Sequence, residues 1–129
     1  MKRLIVDVRP GEYTVARLAA DAPVPAGLLD HALVSVTRTP DELSIVCPSE
    51  HAPPADHVQA GWRLLTVRGP LEFTLTGIMA ALSGELAAAG VSLFALSTYD
   101  TDHLLVKGAD LGRAVTALRS SGHEVNPPA

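Results

Sequence analysis

The order of elements between Trp62 and Val125 restricts the fold more than any other feature of this sequence. "WRLLTVRG" (62–69) is apolar, β-prone and stopped by Gly69-Pro70, which predicts a strand. From Gly77 to Ala89, residues Ile78, Met79, Leu82 and Leu86 share one helical face, with Ser83 and Glu85 opposite. Thr76 is placed to cap that helix and Gly90 to end it. "SLFALS" (92–97) and "HLLVK" (103–107) predict strands too apolar to meet solvent on both faces. Asp110 opens a second helix along Leu111, Ala114, Val115 and Leu118, ending at Gly122, and "HEV" (123–125) closes with a short strand. Strand-helix-strand-strand-helix-strand is the signature of a ferredoxin-like module.

The first half reads less sharply. "LIVDV" (4–8), "YTVARL" (13–18), "LVSVTRT" (33–39) and "LSIVC" (43–47) predict strands, the last two joined by a turn at Thr39-Pro40-Asp41. "VPAGLLDHA" has room for a helical turn or two, and "PSEHAPPADHVQAG" (48–61) reads as a loop broken by prolines. The expected architecture is α+β: two ferredoxin-like modules side by side, 1–60 with shortened helices and 61–129 complete.

Composition removes several function classes. Of 129 residues, 47% are hydrophobic and 19% charged, the balance of a packed globular chain. A net charge of −4 and only five aromatic residues give nucleic acid neither a basic surface nor a stacking platform. No apolar run reaches the roughly 20 residues of a bilayer span, and "MKRLIVDVRP" lacks a signal-peptide core. With a single Cys47 excluding an internal disulfide, a cytoplasmic location is expected, without nucleic acid or membrane as partner.

The candidate site comes from topology. In a ferredoxin-like sheet the exit of the first strand and the turn after the second lie at the same end, which brings "GPLEFTLTGI" (69–78) beside "STYDTD" (97–102). A helix start at Gly77 offers amide donors and a partial positive charge to a carboxylate. Asp100 and Asp102 offer acceptors to an ammonium. A free amino acid carries both charges. The two groups stand about two strand spacings apart (~10 Å), which suits a site across a module interface.

The stretches "FTLTGI" and "STYDTDHLLV", with "SVTRTPDELSIVCP" (35–48) in the first half, resemble the ACT-domain family, and within it the small tandem-ACT proteins of the CASTOR-type amino-acid sensors. The resemblance runs from Gly11 to Val125. It implies a regulatory module that binds a free amino acid between modules, pairs side by side as a homodimer and signals to a separate protein target, with no cofactor. It further implies Thr76, Gly77 and Ile78 as the turn that contacts ligand, and Thr98, Asp100 and Asp102 as its polar partners.

Plainer readings stand beside these. Asp and Thr also close turns on their own backbone, which would account for Asp100 and Asp102. His103 is either a strand histidine or a group that orients an aspartate. Glu50, His51, Asp56 and His57 are metal-binding residue types without the usual ligand spacing, and a calcium loop from Asp100 fails at Leu105 and Leu111. No nucleophile elbow, phosphate loop or dinucleotide fingerprint is present, so no catalytic or metal residue is assigned. Two alternatives to the sensor remain: a small metal-independent enzyme acting on an amino-acid derivative, and a protein-interaction subunit without ligand.

Overall fold

The computed structural model describes residues 3–69 and 77–128. The chain divides into two compact units: Met1–Pro10 with Arg63–Ala129, and Gly11–Trp62. Strand β5 (His57–Val67) contributes its first half to the second unit and its remainder to the first.

The larger unit contains the predicted alternation. Helix α1 spans Ile78–Ala88, β6 Leu93–Ser97, β7 Asp102–Lys107, α2 Leu111–Ser120 and β8 Glu124–Asn126. Strand β1 (Ile5–Val8) joins them from the far end of the sequence. It lies between β5 and β8, antiparallel to β5 with Val6 opposite Val67, and parallel to β8 with Val6 opposite Val125. In this unit the strands run β6-β7-β5-β1-β8. The segment 4–8, which the sequence reading groups with residues 1–60, therefore makes its sheet partners in residues 63–129. Alternation along β1 turns Val6 and Val8 into the core with Leu65, Val67, Leu104, Val106 and Val125, against Leu82 and Leu86 of α1 and Ala114 and Leu118 of α2. On the opposite sheet face Leu64 and Leu105 are buried as well, which is why "HLLVK" reads as continuously apolar.

Both helices end on glycine. Gly90 and Gly122 adopt left-handed φ of 74° and 97°. Each is followed by a reaching-back amide: Val91 N–H donates to Leu86 O at 2.9 Å, and His123 N–H to Leu118 O at 3.1 Å. These bonds satisfy carbonyls the helices leave open and fix the direction of the next segment.

The smaller unit is an antiparallel arrangement of β2 (Tyr13–Leu18), β3 (Ser35–Arg38), β4 (Leu43–Pro48) and the start of β5, ordered β3-β4-β2-β5. Among its described residues the helices are reduced to 3-10 turns at Leu28–Asp30 and Ser49–His51. Prolines at 23, 25, 48, 53 and 54 deny this segment the backbone donors a longer helix needs. Leu28, Leu43, Ile45 and Cys47 form its core. Thr39 makes the expected turn, its Oγ1 accepting the amides of Asp41 and Glu42, both at 3.1 Å. The reading of 48–61 as a loop is corrected from His57 onward: those residues pair with β2, Ala16 opposite Val58 and Arg17 opposite His57. Gly61, at φ 80°, accommodates a bulge there, since the register shifts between Tyr13 and Val15.

Candidate functional site

The turn between β6 and β7 is held by its own side chains. Ser97 and Asp102 are cross-strand partners, and Ser97 Oγ donates to Asp102 Oδ1 at 2.7 Å. Thr98 N–H and Thr98 Oγ1–H both donate to Thr101 O, at 2.9 and 3.1 Å. Thr101 Oγ1 donates to Val67 O at 2.6 Å, tying the turn to the last residue of β5. The strand exit and the polar turn thus meet at one end of the sheet.

Of the predicted site residues, Thr98, Asp100 and Asp102 are brought together in this turn. Thr98 is occupied by the turn itself, and Asp102 spends one oxygen on Ser97. Asp100 is exposed and, among the described residues, makes no hydrogen bond or ion pair, so its carboxylate is the free acceptor of the set. Gly77 stands at the N-cap of α1 with φ 81° and ψ −3°, a left-handed conformation that favours glycine, and a Cβ there would meet nothing within 4 Å among the described residues. The expected cap, Thr76, lies outside the described residues; the N-cap position belongs to Gly77, without a side-chain cap bond. Ile78 packs against the core. Among the described residues no hydrogen bond or ion pair links Gly77 or Ile78 to the turn.

Beside the turn, Thr66 Oγ1 and His103 Nδ1 are 3.0 Å apart across β5 and β7. Burial holds the His103 imidazole below the ordinary histidine range; Asp102 opposes this and Arg9 adds to it. Across β1, Asp7, the register partner of Thr66, takes a two-pronged bond from Arg68, Nε to Oδ2 at 3.0 Å and NH2 to Oδ1 at 2.7 Å. That bond lowers the Asp7 carboxyl below its usual value, with partial burial opposing and Asn126 assisting.

Two arrangements escaped the sequence reading. His123, buried among apolar residues, accepts Leu4 N–H on Nδ1 at 3.1 Å and faces Glu85 through Nε2 at 3.0 and 3.1 Å. Its signal was positional: a histidine directly after the helix-ending Gly122, where an apolar residue commonly packs back on the helix. In the smaller unit the rings of His31 and His51 stack with centroids 3.4 Å apart and planes 6° from parallel, with Glu50 3.7 Å from His51. Stacked imidazoles do not converge their nitrogens on one point, and among the described residues no three His, Cys, Asp or Glu side chains gather to hold a metal. No helix among the described residues is long and apolar enough to cross a membrane.

Fold and site together define a ferredoxin-like α+β protein with a polar turn fastened to the end of β5. The chain belongs to the ACT-domain family, whose model matches residues 57–120. A second model, described as the N-terminal domain of its own family, matches residues 11–55. The human protein named cytosolic arginine sensor for mTORC1 subunit 1 is 39% identical over 59 residues, which is 45% of this chain and 18% of that one. The chain thus aligns with less than a fifth of the length of the curated relatives it matches. A crystal structure of an Agrobacterium tumefaciens protein superposes with a TM-score of 0.92 at 36% identity, covering 100% of this chain and 96% of the other. Aspartate kinase from Clostridium acetobutylicum shares the fold at a TM-score of 0.66 and 11% identity, over 90% of this chain and 34% of the kinase.

Proposed function

We propose that this protein is a regulatory amino-acid sensor that binds a free amino acid where the β6–β7 turn meets the β5 exit, and passes the bound state to a separate protein. The observation that carries the reading is the Thr101 bond to Val67 O in a turn where Asp100 makes no hydrogen bond or ion pair among the described residues. A carboxylate that makes no bond among the described residues, in a turn closed by Ser97, Thr98 and Thr101, is available to a ligand ammonium. The start of α1 at Gly77 supplies the complementary amide donors for the ligand carboxylate. The name of the curated relatives makes arginine the first ligand to test.

Dimerisation belongs to the same reading. Strand β6 pairs with β7 alone among the described strands, and its residues "LFALS" carry no charge or proline to protect an open edge. A second copy covers it, which light scattering of the purified protein checks.

The test of ligand binding is a thermal-shift screen of the intact protein against the twenty amino acids. A ligand at a hundred times its dissociation constant stabilises by ~2.7 kcal/mol. The shift weakens in Asp100→Asn and in Gly77→Val. A hit that both variants leave unaltered places the pocket elsewhere, and turnover of the ligand favours the enzyme reading.

A further inference from the structure

We infer that Glu85, His123 and the amide of Leu4 form a proton-operated latch that holds strand β1 in the sheet. This does not depend on the ligand reading.

The latch follows from what each imidazole nitrogen meets. The His123 side chain is fully buried. Its backbone is pinned by the cap of α2, through His123 N–H to Leu118 O, so the ring has a fixed origin. Nδ1 receives the Leu4 N–H at 3.1 Å and must present a lone pair. Nε2 therefore carries the proton of the neutral ring and donates it to the Glu85 carboxylate. A second proton can enter only at Nδ1, where it would point at the Leu4 N–H. Two donors then face each other in a buried site, and the bond to Leu4 is lost.

The surroundings set the direction. From α1, the Glu85 carboxylate accepts Nε2–H, a proton the ring carries whether neutral or doubly protonated. From α2, the Arg119 guanidinium is directed to Val125 O. From β8, Glu124 is turned to Arg3 and Asn126. Among the described residues Glu85 is the one ionisable side chain within ion-pair distance of the ring. On protonation His123 thus keeps Glu85 and releases Leu4. Leu4 is the entry to β1: its own carbonyl accepts Glu124 N–H at 3.0 Å, beginning the β1–β8 ladder. Acidification therefore loosens β1 from its N-terminal end while the helices and β7 stay in place.

The experiment is amide exchange of the whole protein read by NMR between about pH 8 and pH 5, corrected for the intrinsic pH dependence of exchange. The Leu4 amide is expected to lose protection by roughly 10- to 100-fold on acidification, while Leu104 and Val106 keep theirs. His123→Asn offers a non-titrating acceptor and abolishes the pH dependence. Should that variant not fold, nitrogen chemical shifts of the wild-type imidazole decide: the ring must pass from the Nε2–H form to the doubly protonated form over the range in which Leu4 opens. A ring that stays Nε2–H while Leu4 opens refutes the latch. So does Leu4 protection that never changes, that falls together with Leu104 and Val106, or that still falls in His123→Asn.

Discussion

Removal of residues 1–10 should unfold the unit formed by Arg63–Ala129, although those ten residues precede its strand-helix alternation by some fifty positions. Leu4, Val6 and Val8 are 3%, 0% and 5% exposed and belong to that unit's core. Burial of a Val or Leu side chain contributes ~1.5–3 kcal/mol, so the three together contribute roughly 5–9 kcal/mol. A domain of this size has about 5–15 kcal/mol in total. The loss also strands β5 and β8, each of which uses β1 as its partner, and removes the Asp7–Arg68 bond. Urea denaturation of the shortened chain, followed by circular dichroism and by amide exchange of Leu104 and Val106, should show no cooperative transition for this unit. A peptide of residues 1–10 added in excess should restore it. Val6→Ala in the intact chain provides the graded version: it deletes two buried methyl groups, about 1.6 kcal/mol of transfer energy before any cavity term. A shortened chain that melts with the same midpoint and slope as the full one would refute the placement of β1 as an internal strand.

The remaining predictions concern charge and backbone. The folded-state His103 is held below the ordinary value of 6.5 by burial, so the unfolded chain binds the proton more readily; stability is full above that value and falls as pH drops below it. His103→Gln should flatten this part of a stability–pH curve. Asp7, lowered from 3.8 chiefly by its Arg68 bond, contributes stability present above that value and lost as pH falls further, and Asp7→Asn should remove this acid limb in the same titration. Gly77→Ala should cost ~1–2 kcal/mol from left-handed backbone, since the added Cβ meets no atom of the described residues; a thermal melt checks it, and a neutral result would mean the helix start relaxes. Thr101→Val should cost about 1 kcal/mol by freeing Val67 O, and should loosen the turn in exchange measurements.

Much of the larger unit was legible because its signals are local. Helical periodicity over Ile78–Leu86, the glycine stops at 90 and 122, and the paired apolar runs around "STYDTD" each specify an element without reference to distant chain. The strand at 4–8 was legible as a strand and not as to its place. Alternation of Ile5, Val6, Asp7 and Val8 fixes which faces are buried, but nothing in four residues names β5 and β8 as neighbours. The segment 57–61 was hidden for the opposite reason: prolines 53 and 54 and the glycine bulge obscured a strand whose pairing with β2 outweighs weak local preference. His123 and Glu85 lie 38 positions apart, and each looks ordinary alone.

The polar turn shows how an abundance of hydrogen-bonding groups divides between structure and availability. Ser97, Thr98, Thr101 and one oxygen of Asp102 are consumed in closing the turn and fastening it to β5. Those bonds rigidify the loop, so the one carboxylate they leave over, Asp100, is carried on a fixed frame rather than on a floppy tip. A fixed charge loses less entropy on meeting a ligand than a mobile one. The turn-forming reading and the ligand reading of this stretch are therefore not rivals. The first accounts for Ser97, Thr98, Thr101 and one oxygen of Asp102, and leaves Asp100 to the second.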